Sequence, residues 1–151
     1  MRVNVAGAFG AVQAVGGGMV SMGSGVILNV ASNSAFNAER SSIPYVSSKA
    51  AVVSLTHVLA RTLGPVIRVT AVAPGWMDTP WLERYLPPGR RAAVVNDPVG
   101  LVDVARVTEA ALLLITSDAI TGQVLVVDKC ELAGGRVPPP GPGPGPSGQV
   151  G

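Results

Sequence analysis

Apolar residues recur mostly at three- and four-residue steps through Val3, Val5, Phe9, Val12, Val15 and Met19, which predicts an amphipathic helix over residues 3–22, weakened by its glycines. The run Val26-Ile27-Leu28-Asn29-Val30-Ala31 has no such period and predicts a buried strand over 26–31. Asn33 to Pro44 is polar and predicts a loop. Ala50, Val53, Leu55, Val58 and Leu59 restore the helical period across 47–63, and Gly64-Pro65 ends it. A second strand is predicted over 67–73, closed by Pro74-Gly75. Residues 76–100, interrupted by prolines and glycines, predict a long irregular segment. A third helix over 102–116 and a third strand over 123–128, introduced by a Thr121-Gly122 turn, complete the pattern.

Helix and strand alternate throughout, which argues for parallel strands joined by crossover helices. The near-continuous Val/Ile/Leu runs fit strands buried on both faces. From Gly134 onward the composition changes. Pro138-Pro139-Pro140 and the Gly-Pro alternation after it form neither helix nor ladder, and glycine at every second position excludes a collagen triple helix. The expected organisation is therefore an α/β domain over 1–133 and a disordered tail over 134–151.

At 151 residues, 48% hydrophobic and 13% charged, the chain supports one domain with a real core. The formal charge of +2 leaves no basic face, and Arg90-Arg91 beside Pro87-Pro88 is expected to be a solvated loop, so nucleic acid is not an expected partner. The single cysteine, Cys130, excludes an intrachain disulfide and is expected to be an incidental thiol in a reduced, cytoplasmic setting. Mean hydropathy of +0.43 raises the question of a membrane. No stretch reads as the roughly 20 apolar residues a spanning helix needs, so none is expected. Arg2 with the small apolar residues behind it imitates a secretion signal, but Asn4, Gln13 and Gly16 to Gly18 interrupt it. His57, the only histidine, falls within a helix and is expected to be structural or exposed; no metal site is expected.

The candidate chemistry lies in Tyr45, Lys49 and Ser32. Residues four apart on a helix share a face, so the Lys49 ammonium can approach the Tyr45 phenol. A cation there favours the phenolate, which lets the hydroxyl act as a general acid or base. Ser32, leaving the end of a strand, can hold a carbonyl oxygen or alkoxide beside that phenol. Tyr-x-x-x-Lys alone is a weak signal, because it recurs by chance.

The wider pattern resembles the short-chain dehydrogenase/reductase family over residues 2–128. Gly25-Val26-Ile27-Leu28-Asn29-Val30-Ala31-Ser32 looks like the family's fifth strand and catalytic serine. Pro44-Tyr45-Val46-Ser47-Ser48-Lys49-Ala50-Ala51 looks like the start of its tyrosine-lysine helix. Ile67 to Gly75, then Thr79, looks like its sixth strand and nicotinamide turn, and Thr121-Gly122-Gln123-Val124 with Val127-Asp128 looks like its seventh. Val3-Asn4-Val5 looks like the helix carrying its catalytic asparagine.

The resemblance implies a Rossmann-like, doubly wound parallel sheet and an NAD(P)-dependent oxidoreductase acting on a small carbonyl or alcohol substrate. NAD and NADP are not distinguished. Tyr45 would be the acid/base, Lys49 would assist it and hold the ribose, Ser32 would orient the carbonyl, and Asn4 would anchor a water of a proton relay. Pro74, Gly75, Met77 and Thr79 would border the nicotinamide. Residues 76–100 would form a substrate lid whose Trp81, Leu82, Tyr85 and Leu86 are substrate contacts or a plain hydrophobic cap. A homo-oligomer through helices 3–22 and 47–63 also follows from the resemblance.

Departures are expected to matter. Nothing here matches the family's opening strand, glycine-rich turn and helix. Gly16-Gly17-Gly18 and Gly23 have no strand before them and read as a frayed helix end. The expectation is a truncated fold that retains three strands, with Met1 standing where the family has an internal methionine and strand 26–31 left as an apolar edge. Lys129-Cys130 stands where the family has two glycines, and the connection 117–121 looks short. Two outcomes stay open: an active oxidoreductase, or a catalytically silent fragment.

Overall fold

The three β-branched runs pair with one another. A computed structural model, which describes residues 1–37, 41–97 and 99–134, has one open sheet of three parallel strands. They are β1 (Gly25–Val30), β2 (Ile67–Pro74) and β3 (Val124–Val127), in the order β1-β2-β3. The register runs from Gly25 opposite Ile67 to Val30 opposite Val72, and from Ala71 opposite Val124 to Pro74 opposite Val127. This is the expected α/β architecture, with each strand close to its predicted span. Central β2 is buried at every position except Arg68, whereas β1 lies at an edge and Val30 is 57% exposed. Beyond Gly134, the expected disordered tail lies outside the described residues.

The N-terminal helix occupies its predicted span and is more regular than its glycines suggest. A π-helical turn, Arg2–Ala6, runs directly into α1 (Gly7–Met22). Gly16 to Gly18 lie inside α1 rather than at a frayed end. The helix stops at Gly23, whose φ of 74° is the left-handed conformation glycine adopts without a Cβ penalty. The expectation that no stretch is long and apolar enough to cross a membrane is corrected. Arg2–Met22 is 21 residues long, and an 18-residue window within it has mean hydropathy 1.4 and is 11% buried, so by length and composition alone it passes that test. Asn4 and Gln13 do not interrupt the helix.

Proline explains the other boundary differences. Helix α2 (Ile43–Leu63) begins before the predicted residue 47, with Pro44 in its first turn. There the missing N–H is harmless and the fixed φ is preset for a helix. Pro80 and Pro88 likewise open α3 (Pro80–Tyr85) and α4 (Pro88–Val95) inside the segment predicted to be irregular. Helix α5 (Val104–Thr116) starts at Asp103, whose carboxylate accepts from the Ala105 N–H at 2.8 Å.

On one face of the sheet, Val52 packs with Ala71 and Ala73, while Leu59 and Ala60 pack with Ile67, Val69 and, from α1, Val12. Inside that contact the Asn29 amide donates to Thr56 Oγ1 at 3.0 Å, and Thr56 donates to the Val52 carbonyl at 2.8 Å. This buried chain fixes α2 along β1. Alternation along β2 turns Arg68 to the other face. Its guanidinium donates to the carbonyls of Leu114 and Ile120, both at 3.1 Å, and of Ile115 at 2.6 Å. Arg68 thus places a cation at the C-terminal end of α5, where unpaired carbonyls concentrate negative charge. Arg68→Met should lower unfolding free energy by about 2 kcal/mol. Urea denaturation checks this, and a loss below about 0.5 kcal/mol would contradict it.

Candidate active site

In a parallel sheet all the strands end on the same side, and a crevice forms beyond their carboxyl ends. Here that crevice is a cavity of about 430 Å³. Ser32 enters it beyond β1, Gly75, Trp76, Met77 and Thr79 beyond β2, and Glu131 beyond β3; Tyr45 and Lys49 face it from α2 and Asn4 from the first helical turn. The fold therefore gathers Asn4, Ser32, Tyr45 and Lys49 from three separate stretches of chain.

Ser32 follows β1 in extended backbone and caps the short 3-10 turn Asn33–Ala35. Its Oγ accepts from the Ser34 N–H at 3.3 Å and from the Ser34 hydroxyl at 2.9 Å. With its acceptor capacity used locally, the Ser32 hydroxyl keeps its own hydrogen for a donated bond. Ser32 is 8% exposed, so such a bond forms with little competition from water.

Tyr45 lies in the first turn of α2, one turn before Lys49. The Lys49 ammonium is 5.7 Å from the Tyr45 ring centroid, within cation–π range. Its Nζ donates to the Val30 carbonyl at 2.8 Å, at the end of the strand that leads to Ser32. Burial lowers the Lys49 pKa from its ordinary 10.5, because desolvation disfavours the charged amine. Asn4 Nδ2 donates to Ser48 Oγ at 2.9 Å, and Ser48 donates to the Tyr45 carbonyl at 2.7 Å. The asparagine is thus tied to the turn that carries both Tyr45 and Lys49.

Gly75 closes the floor. A Cβ there would lie 2.9 Å from Asp128 Cβ and 3.0 Å from Glu131 Oε2, so only glycine lets the turn after β3 settle against β2. That turn contains Lys129 and Cys130 at φ 51° and 68°, the left-handed region at two consecutive residues with side chains. The family's glycines would adopt it without that steric cost.

Several expectations fall elsewhere. Pro74 ends β2 and is not among the residues that line the cavity. Trp81 and Leu82 do line it, whereas Leu86 lines a separate groove beside α4. The Tyr85 side chain lies outside the described part of the structure. His57 and Cys130 are exposed and stand outside the cavity lining. The sequence reading missed Asn33, Ser34 and Glu131. The first two sit within the predicted polar loop, and Glu131 reaches the cavity only through the turn just described.

The chain matches the family model described as enoyl-(acyl carrier protein) reductase over residues 1–129. It is 33% identical to the 3-oxoacyl-[acyl-carrier-protein] reductase of Thermotoga maritima, covering 85% of this chain and 54% of that protein. It is 36% identical to a short-chain dehydrogenase/reductase homologue of Bacillus subtilis, covering 69% of this chain and 81% of that protein. Among solved structures, a gluconate 5-dehydrogenase from Burkholderia cenocepacia superposes with TM-score 0.79 at 30% identity, over 90% of this chain and 55% of that one. The chain spans about half the length of the ketoacyl reductases it matches, 53% and 54%.

The direction of the Lys49 shift fixes a pH dependence. Between its lowered folded value and 10.5 the unfolded chain binds more protons than the folded one, so stability rises with pH through that window. Relative to Lys49→Met, the wild type should gain stability as pH approaches 10.5 from below in denaturant titrations. A difference that stays flat or shrinks would contradict the burial of this amine.

Proposed function

Because the chain belongs to the short-chain dehydrogenase/reductase family, a family of oxidoreductases, we propose that its cavity carries out NAD(P)-dependent interconversion of a carbonyl and an alcohol, with Tyr45 as the acid/base. One observation carries this reading: Asn4, Ser32, Tyr45 and Lys49 line a single cavity at the carboxyl ends of the parallel strands. The solved gluconate dehydrogenase, which holds NADP, supports the cofactor class but does not select between NAD and NADP.

The residues present fit the nicotinamide end of such a cofactor. Gly75, Met77 and Thr79 line the cavity beside Tyr45 and Lys49, and Pro74 would contribute through the backbone that precedes them. Among the described residues there is no strand, glycine-rich turn and helix of the kind that cradles a pyrophosphate. When bound, the nicotinamide would supply the hydride. Ser32 donates its hydroxyl hydrogen to the substrate oxygen and fixes the carbonyl. Tyr45 then gives its phenolic proton to that oxygen as negative charge develops, and takes it back in the oxidative direction. Lys49 stabilises the phenolate left behind and holds the ribose. Asn4 positions a water through which the proton is replaced from solvent.

The same reading makes the protein cytoplasmic, with a small-molecule substrate. Val3, Phe9, Val15 and Val58 are exposed on α2 and the helical stretch Arg2–Met22, which suits a homo-oligomer through those helices. Fluorescence titration with NADH and NADPH separates this reading from a catalytically silent chain. Binding of either cofactor is expected, and none at millimolar concentration would refute it. Tyr45→Phe should lower kcat by about 100-fold or more while largely sparing cofactor affinity. Undiminished turnover in that variant would refute the role given to the phenol.

A further inference from the structure

We propose that Ser34 is a positioning residue that fixes Ser32 as a hydrogen-bond donor, so that the cavity favours a carbonyl over the corresponding alcohol; the proposal deepens the oxidoreductase reading and rests on it. Ser34 makes two bonds to one atom. Its N–H and its hydroxyl both donate to Ser32 Oγ, at 3.3 Å and 2.9 Å. Both serines are 8% exposed, and both line the cavity that Tyr45 also lines.

The backbone holds the pair in place. The Ala31 N–H donates to the Val72 carbonyl at 2.8 Å, so the sheet ladder runs up to the residue before Ser32. Just beyond it, the Ala35 N–H donates to the Ser32 carbonyl at 3.0 Å and the Phe36 N–H to the Asn33 carbonyl at 2.9 Å. These bonds close the turn Asn33–Ala35 and keep Ser34 within reach of the Ser32 side chain.

The chemistry follows from the count of lone pairs. A hydroxyl has one hydrogen to donate and two positions that accept. Ser34 fills both acceptor positions of Ser32, so what Ser32 offers the cavity is its hydrogen. Ser32 therefore does not take the hydrogen of Tyr45, and the two hydroxyls do not satisfy each other. In its protonated form Tyr45 is a second donor in the same cavity. A ketone oxygen accepts from both and has no hydrogen of its own to place. An alcohol oxygen also accepts, but it brings a hydrogen for which Ser32 offers no acceptor, and a polar hydrogen left unpaired beside a buried serine is costly. The bonds also run in one direction, from Ser34 through Ser32 to the bound oxygen, and hydrogen bonds in such a chain strengthen one another. Selectivity thus comes from a penalty on the alcohol as well as from attraction of the ketone.

The chain's two tryptophans, Trp76 and Trp81, both line the cavity, so their fluorescence reports binding there without cofactor or turnover. The probes are cyclohexanone and cyclohexanol, which differ only in the oxidation of one carbon. The full chain should bind the ketone about fivefold more tightly than the alcohol. Ser34→Ala, which frees one acceptor position on Ser32, should bring the two within about twofold, mainly by tightening on cyclohexanol. Ser34→Thr, which keeps the hydroxyl, should retain the preference. In a Ser32→Ala background, Ser34→Ala should leave the ratio of the two affinities unchanged, because the serine through which it acts is gone. Equal binding of the two probes by wild type, preference for cyclohexanol or binding of neither would each overturn the proposal. So would an unchanged preference in Ser34→Ala, a lost preference in Ser34→Thr, or an effect of Ser34→Ala that is as large without Ser32 as with it. The expected pattern in a protein that reduces no ketone with NADH or NADPH would sink the oxidoreductase reading alone.

Discussion

The bond from the Lys49 ammonium to the Val30 carbonyl, 2.8 Å long, is the contact on which the site depends. It joins the helix that carries Tyr45 to the end of the strand that delivers Ser32. Sequence separates these residues by a loop, and only the packing of α2 along β1 brings them to one cavity. That packing is fixed deeper in the core, where Thr56 is fully buried and accepts from Asn29 while donating to Val52. A slide of α2 along the sheet would leave the Asn29 amide without its partner, and unpaired buried polar groups are costly. The polar chain therefore sets the position of the helix, and the helix sets the position of the phenol.

A second constraint closes the cavity from the far side of the sheet. The turn after β3 reaches over Gly75 and presents Glu131 next to Asn33. The first constraint positions Tyr45 and Lys49 beside Ser32, and the second shapes the wall of the cavity opposite them. They meet because parallel strands all end on the same side, so the loop beyond each strand contributes to one crevice. Arg68 serves the same architecture from below, by anchoring the end of α5.

Much of this was legible in the sequence. The strands read directly as β-branched runs, because burial on both faces leaves an uninterrupted apolar signature. Tyr45 and Lys49 were legible as one helical turn, and Ser32 as the exit of a strand. The prolines misled where each was read only as a breaker, although Pro44, Pro80 and Pro88 each sit in the first turn of a helix. The span of the N-terminal helix was legible, but its glycines read as a frayed end, whereas the structure keeps Gly16 to Gly18 inside it. Glu131 was not legible, because its place depends on left-handed backbone at Lys129 and Cys130 and on a missing Cβ at Gly75. Arg68 was hidden for the same reason: its carbonyl partners lie in a distant helix end and the loop after it.

The central claim is that Ser32, Tyr45 and Lys49 act as one unit, and a double-mutant cycle on Ser32 and Lys49 tests it most directly. Single-turnover reduction of a small ketone would be followed in wild type, Ser32→Ala, Lys49→Met and the double variant. Groups that act together give strongly non-additive losses, so the double variant should be slowed about as much as the worse single one, on the order of 100-fold or more. Losses that multiply as for independent sites, or a wild-type chain that reduces no ketone with either cofactor, would contradict the account.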